Sequence, residues 1–146
     1  MTPGRAAVVY RSHSGVTRRY AEEIAGHLRG RGVDTTVASV GECDTRSLAE
    51  VDLLLLGCWT SGLFVIRQHP DQPWVAFARE IPALPHARVA LFTTYRLATG
   101  GMFRRMQAEL PPGVPEPALT LQSRDGRLSE ADGTALDRFV AGVAAT

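Results

Sequence analysis

Short apolar, β-prone runs alternate with helical stretches along the whole chain, and this alternation limits the possible folds more than any other feature. The first run, residues 5–10, ends in a polar turn containing Gly15. From 16 to about 31 the period lengthens. Tyr20, Ile24 and Leu28 recur every four residues beside Ala21 and Ala25, while Arg18, Arg19, Glu22 and Glu23 fall elsewhere, the pattern of an amphipathic helix. Gly30 and Gly32 stop it. Residues 33–40 read as a second strand, followed by a short helical stretch around 45–49 with Asp44 as N-cap. Residues 51–57 are almost wholly apolar, as a central parallel strand covered on both faces should be. A loop is expected from there to Asp71. Pro73 suits the first turn of a helix whose buried stripe is Trp74, Phe77 and Ile81, ended by Pro82 and Pro85. Residues 87–93 form a fourth strand, and 101–110 a helix with Phe103, Met106 and Leu110 inward. A proline-stiffened loop leads to a fifth strand at 118–122. Ser129 with Asp132 resembles a capping box, opening a helix that buries Leu136, Phe139, Val140 and Val143.

Five strands alternating with five helices predict a doubly wound α/β fold, a five-stranded parallel sheet with helices on both faces. Right-handed crossovers leave few strand orders at this size, and 2-1-3-4-5 is the commonest. The 146 residues are read as one domain, 1–146. Ligands of such sheets sit beyond the carboxyl ends of the strands, at the switch between strands 1 and 3. Chemistry is therefore sought in the loops after Tyr10, Gly57 and Thr93.

Composition removes several function classes. Net charge is +1, so no bulk field favours nucleic acid or an anionic membrane. All 16 basic residues are arginine, which excludes mechanisms that need a lysine. No apolar run approaches the roughly 20 residues of a membrane span. The opening Met1-Thr2-Pro3-Gly4-Arg5 leads straight into a strand, leaving no room for a signal peptide, so a cytoplasmic location is expected. Cys43 and Cys58 lack a C-x-x-C spacing and read as reduced residues. His13, His27, His69 and His86 show no metal-ligand spacing. His27 and His86 read as surface residues, and Arg18-Arg19 and Arg104-Arg105 as solvated helix faces. A receiver domain would need acids at the end of strand 1 and a lysine after strand 5, and a small tyrosine phosphatase would need C-x5-R. The chain has neither set.

The turn Ser12-His13-Ser14-Gly15-Val16-Thr17 brings three hydroxyls and a glycine to the amino end of a helix. A phosphate there would accept backbone N–H bonds and gain from the helix dipole. Ser12, Ser14, Gly15 and Thr17 match in place the [ST]-x-[ST]-G-x-T phosphate loop of the flavodoxin family, which the chain resembles over its whole order of elements. Strand 3 runs into Gly57-Cys58-Trp59-Thr60-Ser61-Gly62-Leu63-Phe64, similar to the family's G-C-[ST]-x-[aromatic or Met]-G-[DE]. Trp59 and Ser61 look exchanged relative to that pattern, and Leu63 stands where the acid would be. Strand 4 runs into Thr93-Thr94-Tyr95-Arg96, without the family's usual G-x-G-D.

The resemblance implies a flavodoxin-like protein that binds FMN, with its phosphate on residues 12–17 and its ring between the loop at Trp59, Thr60, Ser61 and Gly62 and the Thr94-Tyr95 turn. Gly62 would neighbour flavin N5. Trp59 either stacks on the ring or folds onto the core, and Tyr95 either stacks or is a strand-end aromatic. Electron transfer to a redox partner protein or a small-molecule acceptor is the function implied. An FMN-dependent NAD(P)H:quinone-type reductase and a flavin-free binding module are the alternatives. Electron-shuttle flavodoxins are strongly acidic, whereas this chain is nearly neutral with Arg11, Arg67 and Arg96 near the expected site.

Overall fold

The computed structural model describes residues 4–63, 66–96 and 98–144. The elements run β1 (Arg5–Arg11), α1 (Val16–Gly30), β2 (Asp34–Ser39), a 3-10 helix (Thr45–Glu50), β3 (Leu53–Trp59), β4 (Ser61–Leu63), β5 (Ile66–His69), α2 (Gln72–Arg79), β6 (Arg88–Thr94), α3 (Met102–Ala108), β7 (Pro117–Ser123) and α4 (Glu130–Ala144). Five strands form one sheet in the order β2-β1-β3-β6-β7, and all four neighbouring pairs are parallel. Counting only these five, the order is the expected 2-1-3-4-5.

Alternate residues of the central strands feed two separate cores, as the two-residue strand period requires. On one face Ala7, Val9, Leu54, Leu56, Val89 and Leu91 pack with Trp74 and Phe77 of α2 and with Met102 and Met106 of α3. On the other, Val8, Leu53, Leu55, Ala90 and Phe92 pack with Tyr20, Ile24 and Leu28 of α1 and with Leu136 and Phe139 of α4. Gly57 shows how tightly the second face is filled: a Cβ there would run into the ring of Phe92.

The local stop and start signals act as their chemistry dictates. At the end of α1, Val33 N–H bonds to Leu28 C=O (3.1 Å) and Gly32 N–H to Arg29 C=O (3.0 Å). This paired closure needs a left-handed residue, and Gly32 has φ +81°. Ser129 and Asp132 form the reciprocal capping box: Asp132 N–H donates to Ser129 Oγ at 3.0 Å, and Ser129 N–H to the Asp132 carboxylate at 3.2 Å. Asp44 caps the 3-10 helix by accepting from Arg46 N–H.

Three details depart from the sequence expectation. The stretch expected as a loop after β3 contains an antiparallel hairpin, β4 with β5, in which Ser61 faces His69 and Leu63 faces Ile66. Phe64 and Val65 lie outside the described residues. The short helical stretch before β3, expected at 45–49, is a 3-10 helix that runs one residue further, to Glu50. In α3 the residues wholly inside are Met102 and Met106, while Phe103 and Leu110 are half-buried against the core edge. The helix ends at Ala108, which leaves Leu110 beyond it. The Val143 side chain lies outside those described. No helix among the described residues is long and apolar enough to cross a membrane.

Candidate functional site

The parallel register brings three strand ends together: Arg11 pairs with Cys58, and Trp59 with Thr94. Hydroxyls stitch β3 to β6 at this end. Thr93 Oγ1 donates to Cys58 C=O (2.6 Å) and lies 2.7 Å from Thr60 Oγ1, while Thr60 N–H donates to Thr94 C=O (2.9 Å). The loops after Arg11, Trp59 and Thr94 therefore leave from one rigid edge, and the side chains they carry share a common base.

The first loop ends in a helix terminus without a side-chain cap. Ser12 Oγ accepts from Gly15 N–H at 3.0 Å, closing a tight turn. Gly15 is the N-cap of α1 with φ +94°, no side chain caps the first turn, and that turn holds no acid. The N–H groups of Val16, Thr17 and Arg18 have no carbonyl one turn earlier to receive them, and the helix dipole makes this end positive. Nothing lies within 4 Å of where a Gly15 Cβ would stand, so the backbone is open to a ligand. His13 and Ser14 are exposed, Ser12 and Val16 half-buried. Thr17 is different: it is buried, and its Oγ1 lies 2.6 Å from Thr94 Oγ1. Its hydroxyl is engaged by β6, while its N–H stays with the helix end.

Trp59 is half-buried at the end of β3 and packs against the core edge. Its ring stacks on His13, with centroids 4.6 Å apart and planes 26° from parallel, so the first and third loops share one aromatic wall. Asp71 orients that wall. Its carboxylate accepts from Trp59 Nε1 (2.8 Å) and Arg11 Nε (2.8 Å), and it caps α2 by accepting from Trp74 N–H (3.3 Å). Sequence reasoning missed Asp71, although an acid two residues before Pro73 is a readable helix-start signal. Arg11 is spent on this carboxylate. Burial pushes the Cys58 thiol far above its ordinary range, so it stays protonated and is no nucleophile. Ser61 and Gly62 lie in β4, on the hairpin rather than in a free loop, and the Arg67 side chain lies outside those described.

Thr94 is buried and Tyr95 half-buried at the end of β6. Tyr95 N–H donates to Ser123 C=O at 3.2 Å, and the Arg124 guanidinium lies 5.4 Å from the centroid of the Tyr95 ring. Further along this loop Gly100 has φ +52°, and a Cβ there would meet the amide of buried Gln68 from β5. The hairpin thus buttresses the loop after β6. The contribution of the loop after β7 carries no local sequence signal, because only the strand order makes β7 a neighbour. Two grooves, of about 310 and about 380 Å³, lie near the 3-10 helix and the start of α2. Among the described residues, none of 11–17, 59–62, 68–71 or 94–100 lines either groove. A cradle of outward-facing main-chain donors is a shelf, not a cavity, so the grooves do not decide where a ligand binds.

Comparison with known proteins adds family information to this geometry. A family model described as Flavodoxin matches residues 8–108. The flavodoxin of Clostridium beijerinckii is 30% identical over 104 residues, covering 70% of this chain and 73% of that protein. Oxidised flavodoxin 2 from Bacillus cereus superposes with a TM-score of 0.72 at 20% identity, covering 97% of this chain and 98% of that one. Two-electron reduced flavodoxin from Megasphaera elsdenii gives 0.71 at 18% identity, covering 97% and 99%. At such identities the structural matches speak for the fold, and the family match speaks for the sequence.

Proposed function

The chain belongs to the flavodoxin family, whose members bind FMN, and on that premise we propose an electron-transfer protein that grips the FMN phosphate with residues 12–17. One observation carries this reading: α1 begins at a left-handed glycine with open space before it, no side-chain cap and no acid in its first turn. Orphan donors at the positive end of a helix dipole suit a dianionic ester. The N–H groups of Val16 and Thr17, with the hydroxyls of Ser12 and Ser14, would receive the phosphate, and His13 would flank it. Hydrogen bonds to a charged group are worth about 1.5–3 kcal/mol each, so a few suffice for firm binding. Because Thr94 already engages the Thr17 hydroxyl, Thr17 would contribute mainly through its main chain.

FMN supplies the redox chemistry when bound. The protein places it and shields it. Trp59, held by Asp71 and backed by His13, would form one wall of the ring site together with Thr60, Ser61 and Gly62. Thr94 and Tyr95 would form the other. Fixing Trp59 through a hydrogen bond and a stack removes rotamer freedom before the ring arrives, which lowers the cost of binding. The test is direct. The purified protein should be yellow, release FMN on denaturation, and as apoprotein take up added FMN in equimolar amount. A colourless protein that ignores added FMN ends this reading.

A further inference from the structure

Four arginines lie on or beside the loop that follows β6. Arg96 lies within it. The guanidiniums of Arg104 and Arg105, from the first turn of α3, fold back to within about 4 Å of where a Gly101 Cβ would stand. Arg124 reaches across from the loop after β7 to lie over the Tyr95 ring. All four are exposed, and none pairs with a carboxylate among the described residues. The rest of the chain carries twelve arginines against fifteen acids. The molecule is therefore nearly neutral in sum, yet these four exposed cations stand on or beside the loops after β6 and β7, where Asp125 is the one acid within 95–105 and 123–127. Elsewhere several arginines are neutralised locally, as at Arg5–Glu50, Arg18–Glu22 and Arg79–Glu109.

We propose that this arginine rim is the docking surface for an acidic redox protein. The argument is charge complementarity. Unpaired, exposed, like-charged groups repel one another and gain only when an anionic surface neutralises them, and such patches speed encounter with oppositely charged partners by about 10- to 1000-fold. The sign is opposite to that expected for acidic electron-shuttle flavodoxins, which draw basic partners. The identity of the partner as a redox protein rests on the electron-transfer reading, whereas the surface itself does not, so binding and transfer are measured separately.

The FMN-loaded, 15N-labelled protein is titrated with one cytochrome c in two forms, native (basic) and lysine-succinylated (acidic). The acidic form should shift amides in 95–105 and 123–127. Its reduction by the photoreduced flavin should slow at least tenfold between roughly 0.01 and 0.15 M salt, as the screening length falls from about 30 to about 8 Å. The variant R96Q/R104Q/R105Q/R124Q should lose a similar factor in affinity for it. A control of equal net charge, R5Q/R46Q/R79Q/R138Q, should not. Tighter binding of the basic cytochrome, an equal loss in the control, or tighter binding of a short single-stranded DNA than of the acidic cytochrome would each overturn the proposal. Rim shifts without haem reduction would uphold the surface and instead count against the electron-transfer reading.

Discussion

Thr17 and Thr94 share a 2.6 Å hydrogen bond in the interior, and that pair separates what a motif shows from what a fold does. A hydroxyl at the sixth position of the first loop reads as an anion ligand. In the folded protein its oxygen is turned to a partner 77 residues away. Replacing Thr17 with Val should leave the Thr94 hydroxyl buried and unmatched, at a cost of about 1–3 kcal/mol. The double variant T17V/T94V removes both halves and should recover most of that loss. Denaturant unfolding of the T17V, T94V and T17V/T94V apoproteins beside the parent measures the cycle, and FMN titration of the same three variants measures the site. If the Thr17 N–H is what matters, affinity should follow stability and return in the double variant. An affinity that stays low there would assign the phosphate contact to the hydroxyl after all. The loop and its glycine were legible because turn and helix-start chemistry is local. The Thr17–Thr94 bond was not, because it depends on strand order and register.

Elements show the same division. The α4 capping box and the Gly32 closure of α1 were readable, since each satisfies main-chain groups within a few residues. The β4–β5 hairpin was not read, because no Asn-Gly or Asp-Gly turn marks it, although the β-prone run 63–66 between Gly62 and Pro70 was a usable signal. Between α1 and α4 the contacts are polar as well as apolar. Tyr20 donates to Asp132 at 2.9 Å, and Asp137 accepts from Arg31 Nε at 2.8 Å and lies 2.9 Å from His27 Nε2. Hydrogen bonds from Arg31, and then from His27, hold the Asp137 carboxyl down at about 2. A carboxyl whose pKa is lower folded than unfolded binds fewer protons in the folded state at mild acid. It therefore adds stability above the unfolded value of about 3.9 and loses it as pH falls toward 2. Asp137→Asn should flatten the acid limb of the stability curve between about pH 4 and 2 relative to the parent, and less so in high salt because the cluster is open to solvent. Urea unfolding at a series of pH values checks this. An unchanged acid limb would show that Asp137 is not coupled to folding.

For the whole molecule, the fold class and strand order followed from the alternation of apolar runs, since few topologies satisfy five β/α units. The distribution of charge did not follow from composition. A net charge of +1 conceals a patch that Arg96, Arg104 and Arg105 begin and that Arg124 joins because β7 lies beside β6 and brings it over Tyr95. With FMN in the proposed site, that patch would bear on the flavin as well as on a partner. Adding the second electron to a bound flavin builds negative charge on the ring, which nearby carboxylates oppose and nearby arginines favour. A positive charge about 10 Å from the ring, in a water-like dielectric, is worth about 0.4 kcal/mol, or roughly 20 mV for a one-electron step. Three or four such charges add some tens of millivolts at low salt. The potential for the second electron should therefore be less negative than in strongly acidic flavodoxins, and R96Q/R104Q/R105Q/R124Q should lower it by some tens of millivolts. The shift should shrink as salt rises, because the groups are exposed and screened. Redox titration of parent and variant at two ionic strengths reads both effects. A potential that does not move on removal of four cations would place the ring far from this rim, and the rim would then act on partners alone.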